Sequence, residues 1–275
     1  MPNKNFETLG EAKRRFPELV FRKDFDDSSR VFIKTSRRDV FGVEAAGLDA
    51  MRKTNSIRIA QVLGQGESGG TYVIVLEAIQ SHSPTADFFE TFAMQLAQMH
   101  RAGAADRFGF RHDNFLGETA QPNSWADDWT SFWSESRLGF QLKLARENGY
   151  GGDELQRLGG ALQSKLDSLL NGSVEKPALV HGDLWSGNWL CDDRNQPALI
   201  DPAVYYGNRE SEFGMTTLFG GLPEQFYSAY NEAWPMESGW QDRVAIYRLY
   251  HLLNHLNLFG ASYLAECMAI LRRFA

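Results

Sequence analysis

Short apolar runs alternate with polar turns over the first part of the chain. Residues 18–35 read ELVFRKDFDDSSRVFIKT, and the two apolar runs on either side of DDSS predict a β-hairpin. In residues 37–54 the apolar residues recur at helical intervals, which predicts one helix. Residues 57–79 hold two apolar runs around a glycine turn and indicate two more strands. The first 80 residues are therefore predicted to be mostly strands with one helix.

Beyond residue 84 the apolar residues recur at three- and four-residue spacing, which predicts helices. These helices are expected in residues 85–102, 125–148, 154–170, 242–259 and 262–275. We predict an α+β protein with two lobes. A small lobe with an antiparallel sheet and one helix would cover residues 1–80, and a large, mainly helical lobe would cover residues 81–275.

Composition and charge narrow the class of protein. A chain of 275 residues with 43% apolar composition can bury a real core. A net charge of -7 argues against nucleic acid as a partner, because phosphate backbones are held by clustered lysine and arginine, and it suits a small cationic substrate. With no apolar stretch long enough to span a membrane and no signal-peptide core in MPNKNFETLG, we predict a cytoplasmic protein without a membrane partner. Cys191 and Cys267 stand far apart, which disfavours a disulfide or a zinc site.

The first candidate chemistry lies in HGDLWSGN, residues 181–188. Protein kinases carry H-R-D-L-x-x-x-N in their catalytic loop, where the aspartate is the base and the asparagine holds a metal ion. Asp183 and Asn188 reproduce that interval of five residues. The stretch therefore indicates phosphoryl transfer, with Asp183 facing a substrate hydroxyl.

A predicted hairpin places a second oxygen ligand beside Asn188. WLCDD and PALI read as strands and DRNQ as the turn between them. If the turn is centred between Arg194 and Asn195, residue 188 lies opposite Asp201. Asn188 and Asp201 would then supply two oxygens for Mg²⁺, which is usually shared with substrate phosphates.

Phosphoryl transfer also needs a cation that positions the phosphates. In kinases this is a lysine on a strand of the small lobe, paired with a glutamate on the next helix. Lys34 ends a predicted strand, and Glu44 lies on the helix that follows. These two residues are the predicted pair.

Longer stretches resemble the fructosamine kinase family (the ketosamine 3-kinases), a branch of the aminoglycoside-phosphotransferase-like kinase fold. The resemblance runs from about residue 30 to the end. It is carried by HGDLWSGN, IDPAVYYGNRESEFGM, FGGLPEQFYSAY, LYHLLNHLNLFGASYL and FGFRHDNFLGETAQPNSWADDWTSFWSESRLGFQLKLA. It implies transfer of the ATP γ-phosphate to the 3-hydroxyl of a ketosamine, free or attached to protein lysines, and it favours ribulosamine or erythrulosamine over fructosamine.

The family pattern also implies roles for individual residues. Asp183 would be the base, Asn188 and Asp201 the Mg²⁺ ligands, and Lys34 the phosphate contact held by Glu44. The strand end formed by Glu77, Ala78 and Ile79 would be the hinge whose backbone binds adenine.

The acceptor pocket is less sharply defined by the sequence. Trp185 lies two residues after Asp183 and is predicted to line it. Tyr205, Tyr206 and Arg209 are candidates for the same pocket because they follow Asp201 closely. A substrate amine could meet one of several acidic residues, namely Asp127, Asp128, Glu210 and Glu212.

Several other conspicuous residues are given structural roles. His181 is expected to hold the catalytic loop through hydrogen bonds, and His251 and His255 to pack on one helix face. Gly64, Gly66 and Gly69 form a literal G-x-G-x-x-G, but it joins two strands and is expected to be a tight turn. The aromatic residues at helical spacing are expected to be mostly core, namely Trp125, Trp129, Phe132 and Trp133.

One departure from the kinase pattern precedes the lysine strand. Residues 6–21 read FETLGEAKRRFPELVF, with Gly10 as their single glycine, whereas a phosphate-binding loop is normally rich in glycine. Either Lys13, Arg14 or Arg15 substitutes with side-chain charge, or ATP affinity is reduced. A chain start that omits part of this loop would give the same pattern.

Two alternative functions stay open at this point. One is a kinase for another small hydroxyl compound, such as an aminoglycoside, choline or a sugar. The other is a nucleotide-binding pseudokinase, which the weak glycine loop favours. A protein kinase is disfavoured, because only about ten residues separate Asp201 from the next predicted helix and no A-P-E sequence follows.

Overall fold

The computed structural model describes residues 6–170, 172 and 175–275. In the first 80 residues the strands are β1 (Phe6–Thr8), β2 (Val20–Phe21), β3 (Arg30–Ser36), β4 (Arg58–Ile59), β5 (Val62–Ser68) and β6 (Thr71–Glu77). The helices there are α1 (Leu9–Arg15) and α2 (Phe41–Arg52). All the strands except β4 form one sheet in the order β1-β3-β6-β5-β2, in which neighbours are antiparallel.

The predicted β2–β3 hairpin is wrong. β2 pairs with β5 at one edge of the sheet, while β3 lies between β1 and β6. The polar turn between them is used differently: the N–H groups of Leu9 and Gly10 donate to Ser29 O and Asp27 O, at 2.8 and 2.9 Å. These bonds tie the turn to the start of α1. The chain then continues into β3, which lies near the opposite edge of the sheet from β2.

The prediction of a single helix in the first 80 residues is wrong, because α1 precedes α2 there. Thr8 and Glu11 form a capping box, in which the Thr8 hydroxyl accepts from Glu11 N–H and the Glu11 carboxylate accepts from Thr8 N–H. The prediction for α2 and for the β5–β6 pair around a glycine turn is confirmed. Gly69 and Gly70 form that turn with φ of +58° and +77°, a region that glycine adopts without strain.

The remainder of the described chain is mainly helical. Its helices are α3 (Phe88–Ala102), α4 (Trp129–Phe132), α5 (Phe140–Glu147), α6 (Gly152–Leu170), α7 (Glu212–Thr216), α8 (Glu224–Ala233), α9 (Trp240–Phe259) and α10 (Leu264–Phe274), with a π-helical stretch Trp133–Gly139 between α4 and α5. Its strands are β7 (Asn114–Leu116), β8 (Thr119–Gln121), β9 (Ala178–Val180), β10 (Trp189–Cys191), β11 (Pro197–Leu199) and β12 (Tyr205–Gly207). The predicted two-lobed α+β fold is confirmed, whereas the boundary at residue 80 stays a prediction.

One short pairing joins the two parts of the chain. β11 pairs with β4 in parallel and with β10 in antiparallel orientation, so these three strands form a small sheet of their own. The end of the β10–β11 hairpin therefore lies beside the strands that carry Lys34 and Glu77. This connection positions the candidate site at the junction of the two parts.

The main core bears out most of the predicted packing. Trp129, Phe132 and Trp133 are buried, whereas Trp125 is 40% exposed and stacks on Tyr206. His251 is buried on α9, as expected for a packed helix face. None of the described helices combines the length and the apolar composition that a membrane-spanning segment requires.

Candidate active site

The β10–β11 hairpin has a different register from the predicted one. Trp189 pairs with Leu199, so Asn188 lies opposite Ile200 and accepts a hydrogen bond from its N–H at 3.1 Å. The predicted pairing with Asp201 was wrong by one residue, because the loop holds three residues, 193–195. Asp192 N–H donates to Gln196 O at 2.9 Å across its base. Asn195 in that loop has a φ of +57°, which Asn tolerates better than most residues.

Asp201 nevertheless comes close to Asn188 by another route. Its backbone is left-handed, with φ +54°, so the chain turns sharply where the strand ends. Asp201 O lies 3.5 Å from the amide nitrogen of Asn188. The turn directs the Asp201 carboxylate to Lys34 on β3, whose Nζ lies 2.7 Å from Asp201 Oδ1.

The predicted pair of Lys34 and Glu44 forms in the structure. Lys34 Nζ lies 2.7 Å from Glu44 Oε1, so one ammonium group bridges two carboxylates. Burial alone would lower the pKa of Lys34, but the charges of Glu44 and Asp201 outweigh it and raise the pKa. Burial raises the pKa of Glu44, and the Asp201 charge adds to this against the opposing effect of Lys34. Lys34 is therefore a fixed cation at this junction.

Asn188 connects the candidate base to the candidate metal ligand. Its Nδ2 donates to Asp183 O at 2.8 Å and to Asp183 Oδ2 at 3.0 Å. Because both partners are acceptors, the amide is oriented with its oxygen directed elsewhere, and none of the described residues donates to that oxygen. Asn188 Oδ1 and the Asp201 carboxylate are thus hard oxygen ligands of the kind that Mg²⁺ takes together with phosphates.

Asp183 is a partly buried residue in the loop before β10. Burial raises its pKa well above the ordinary value, with Asp201 and Glu212 adding to the shift and the hydrogen bond from Asn188 opposing it. A carboxylate with a raised pKa is a better proton acceptor. The environment therefore suits a base for a hydroxyl group.

His181 holds the catalytic loop, as predicted. Its Nε2 lies 2.8 Å from Ile200 O and donates to it, and its Nδ1 accepts the N–H of Asp183 at 3.3 Å. Burial lowers the pKa of His181, which keeps the ring neutral and lets one nitrogen donate while the other accepts. The ring thus fixes the backbone of the candidate base.

Glu212 has a role that the sequence did not indicate. It was a candidate partner for a substrate amine, but its side chain is fully buried and accepts the N–H groups of His181 and Gly182 at 2.5 and 3.0 Å. His100 Nε2 lies 3.3 Å from the same carboxylate. Burial alone would raise the pKa of Glu212, but His100 and the contacts with His181 outweigh it and lower the pKa. An ionised carboxylate therefore anchors the residues just before Asp183.

The other acidic candidates are engaged in structure. Glu210 is buried and makes a two-point ion pair with Arg243, at 2.6 and 2.8 Å. Asp128 caps α4 by accepting Ser131 N–H at 2.6 Å. Asp127 is exposed and pairs with Arg107. These contacts give no support to a role in binding a substrate amine.

Two of the candidates for the acceptor pocket have structural partners instead. Tyr205 is buried, with its hydroxyl 3.0 Å from Ser211 Oγ, and Arg209 is buried with its ion pair to Glu175 at 2.8 Å. Packing within the large lobe accounts for both. Tyr206 lines a separate cavity of about 450 Å³ beside Trp125. Trp185, in contrast, is 37% exposed within the catalytic loop and stays the best candidate for the acceptor pocket.

A cavity of about 460 Å³ lies at the predicted hinge. The N–H groups of Glu77 and Ala78 donate to Gln61 O and Arg30 O, at 2.8 and 3.1 Å. The N–H of Ile79 has no hydrogen-bond partner among the described residues, and it borders this cavity. An unpaired backbone donor in an apolar slot suits a planar base with a ring nitrogen. The cavity is lined further by Phe6, Arg30, Phe32, Ala60, Leu76, Gln80, Ser81, Leu190, Ile200 and Asp201.

The glycine-poor stretch before the lysine strand forms β1 and α1. Lys13 pairs with Asp27 at 2.6 Å, and Arg15 pairs with Glu7. These two charges are thus already engaged, and the idea that basic side chains replace a glycine loop stays a prediction. In the G-x-G-x-x-G at residues 64–69, Gly64 and Gly66 lie within β5 and Gly69 lies in the turn after it, so the tight-turn interpretation holds for Gly69.

A family model settles the relationship of the chain. The model described as "Fructosamine kinase" matches residues 19–275. The chain belongs to the fructosamine kinase family. The protein-ribulosamine 3-kinase of Arabidopsis thaliana, a chloroplastic enzyme, is 42% identical over 251 residues, covering 89% of this chain and 76% of that protein. The resemblance inferred from the sequence is confirmed.

Solved structures agree with the assignment to the fructosamine kinase family. A crystal structure from Haemophilus somnus, whose name places it with the fructosamine-3-kinases, has a TM-score of 0.82 and 29% identity, covering 97% of this chain and 96% of that one. An aminoglycoside phosphotransferase, APH(4)-Ia, solved with AMP-PNP and hygromycin B, has a TM-score of 0.61 and 17% identity, covering 92% and 93%. The latter likeness concerns the fold alone. Family and fold together identify an ATP-dependent phosphotransferase.

Proposed function

We propose that this chain transfers the γ-phosphate of ATP to the 3-hydroxyl of a ketosamine, with a ribulosamine as the favoured acceptor. The observation that carries the proposal is the joining of Lys34, Glu44, Asp183, Asn188 and Asp201 into one connected set of contacts. The name of the plant relative supports the ribulosamine. The cytoplasmic location expected from the sequence remains part of this proposal.

The chain's own residues divide the work of phosphoryl transfer. Asp183 accepts the proton of the acceptor hydroxyl, and His181, Asn188 and Glu212 hold it in place. Lys34 neutralises phosphate charge, since its ammonium is fixed by Glu44 on α2. The Ile79 N–H and the apolar slot around it bind the adenine.

Asn188 and Asp201 fit a magnesium ion, because both present hard oxygens and only two protein ligands are needed when phosphates supply others. When bound, the ion would neutralise charge on the phosphates. Lys34 Nζ lies 2.7 Å from one oxygen of Asp201, so the lysine and a bound ion would share this carboxylate.

An acceptor panel tests the proposal. ADP release would be measured with Mg-ATP and ribulosyl-lysine, fructosyl-lysine, choline, an aminoglycoside or no acceptor, and the phosphorylated carbon located by NMR. We expect release that depends on a ketosamine, fastest with the ribulosyl compound, and phosphate on carbon 3. Turnover with choline or an aminoglycoside alone would favour another small-molecule kinase. ATP binding without turnover on any acceptor would favour a pseudokinase.

A further inference from the structure

A row of aromatic rings leads away from the candidate catalytic loop. The Trp185 ring meets the Phe219 ring edge-on, with centroids 5.8 Å apart, and Phe219 meets His255 at 5.2 Å. His255 then contacts Phe259 at 5.4 Å and Tyr263 at 5.2 Å. We call these five residues the aromatic strip. It starts two residues after Asp183 and ends on the loop between α9 and α10.

The aromatic strip is unusually open to solvent. Trp185, Phe219 and Phe259 are 37%, 45% and 65% exposed. They are three of the seven exposed large hydrophobic side chains among the described residues. Single exposed apolar residues are ordinary, but a contiguous apolar surface next to a polar site marks a place where a ligand binds.

Local backbone contacts hold two rings of the aromatic strip, Trp185 and His255, in place. A Cβ at Gly187 would lie 2.5 Å from Cη2 of Trp185, so glycine at this position lets the indole fold over the loop. Nδ1 of His255 donates to His251 O at 2.7 Å, which fixes that ring and leaves Nε2 as an acceptor with no partner among the described residues. Burial lowers the pKa of His255, so the ring is neutral. The surface is therefore mainly aromatic and uncharged, and its polar atoms are the ring nitrogens of His255, the indole N–H of Trp185 and the Tyr263 hydroxyl.

Charge decides which part of an acceptor suits this surface. No guanidinium or ammonium group of a described residue lies over any ring of the strip. A carboxylate placed against these rings would lose water and meet no cation over them. Trp185 lies two residues after Asp183 and contacts Phe219, so the strip is within reach of a substituent on an acceptor whose hydroxyl meets Asp183.

We propose that the aromatic strip binds an apolar chain carried by the amine nitrogen of the ketosamine and thereby selects the acceptor. Ketosamines with an alkyl or arylalkyl group of several carbons fit, and so does the stem of a lysine side chain. Ketosamines of glycine do not, because their carboxylate lies one carbon from the nitrogen. This inference rests on the proposed function.

A homologous series of acceptors tests the inference. kcat/KM for ADP release would be measured with the ribulosamines of methylamine, propylamine, hexylamine and glycine. We expect kcat/KM to rise about two- to fourfold for each added methylene group, given the usual gain from apolar burial on a surface open to one side. The gain should appear in KM rather than in kcat, since the chain is bound equally before and during reaction. The glycine compound should be the poorest acceptor.

Two exposed rings provide the variants. Phe219→Ser and Phe259→Ser should flatten the series, while Met94→Ser, which removes a side chain that is 53% exposed on α3, should leave its slope unchanged. Equal kcat/KM along the series, or an unchanged slope in both phenylalanine variants, would overturn the inference. Absence of turnover with every ribulosamine would instead overturn the proposed function.

The ribulosamine of an Nα-acetylated lysine amide, added to the series, distinguishes two sources of the apolar substituent: lysine side chains and free amines. A kcat/KM at or above that of the hexylamine compound would assign the strip to lysine on proteins or peptides. A lower kcat/KM would assign it to free apolar amines. Both results support binding of an apolar chain, and the order between the two compounds separates its sources.

Discussion

Lys34 on β3 and Asp201 after β11 form an ion pair with 2.7 Å between Nζ and Oδ1. The two residues come from the sheet of the first 80 residues and from the hairpin of the catalytic loop, so their contact joins the two parts of the site. Glu44 holds the same ammonium at 2.7 Å. Because Asp201 is also the candidate magnesium ligand, the strength of this ion pair controls how readily the carboxylate accepts a metal ion.

Weakening the hold of Glu44 on Lys34 should therefore change the magnesium requirement. In Glu44→Gln the ammonium loses one charged partner and binds Asp201 more tightly, so we expect the Mg²⁺ concentration for half-maximal ADP release to rise about three- to tenfold. Titration with free Mg²⁺ at fixed ATP measures it. Asp49→Asn, on the same helix but in an exposed pair with Lys53, is the matched control. An unchanged titration in Glu44→Gln would contradict the shared role of Asp201.

Glu212 should act on kcat rather than on nucleotide binding. Glu212→Gln keeps the shape of the side chain but offers one acceptor oxygen where the carboxylate offers two to His181 and Gly182. We expect kcat to fall about 10- to 100-fold, because the loop that carries Asp183 loses its anchor, and the free energy of unfolding to fall by about 1–3 kcal/mol. The KM for ATP should stay near its original value. A raised KM for ATP with normal kcat would argue against this role.

Two glycines should respond in opposite ways to the same substitution. Gly182 has a φ of +80°, and a Cβ there would collide with the carbonyl oxygen of Ala203, so Gly182→Ala should abolish turnover. Gly160 lies in the interior of α6 with open space around it, so Gly160→Ala should raise the free energy of unfolding by about 0.5–1 kcal/mol. Kinase assays and urea unfolding measure both. Normal turnover in Gly182→Ala would show that the catalytic loop is not held as described.

His251 should make the fold less stable in acid. Burial lowers its pKa from 6.5 to about 3, with His255 and Arg137 adding to the shift. The unfolded chain therefore takes up a proton near pH 6.5 that the folded chain refuses, so the stabilisation present above pH 6.5 is lost as the pH falls toward 3. Between pH 7 and pH 5 this loss amounts to about 2 kcal/mol.

Substitution of His251 isolates its contribution to the loss of stability between pH 7 and pH 5. His251→Leu should lose about 2 kcal/mol less than the original chain between those two pH values, whatever its stability at pH 7. Urea unfolding followed by tryptophan fluorescence measures both chains at both pH values. Parallel losses in the two chains would rule out His251 as the acid-sensitive group.

Local patterns predicted the elements that carry chemistry. The helical spacing around Glu44 and the apolar runs around Lys34 are properties of short segments, and both residues lie where expected. The interval between Asp183 and Asn188 likewise fixes a loop of set length. The predicted hairpin register was wrong because the register depends on a single backbone conformation, the left-handed Asn195. In the sequence, Asn195 looks like any other turn residue.

Burial and long-range pairing could not be inferred from the sequence. Arg209 and Glu210 look like exposed polar residues, yet each is buried with a partner far along the chain, Glu175 and Arg243. The anchoring role of Glu212 likewise requires α7 to pack beneath the catalytic loop. β2 also pairs with β5, a strand far along the chain, and no local sequence signal specifies that pairing.

The most direct test of the proposed phosphoryl transfer is a comparison of the original chain with Asp183→Asn in ADP release with Mg-ATP and ribulosyl-lysine, together with ATP binding. If Asp183 is the base, kcat should fall about 10²- to 10⁴-fold, the usual contribution of a general base. ATP should still bind, because the adenine cavity does not include residue 183. Acceptor-dependent release at the original rate in Asp183→Asn would contradict the account.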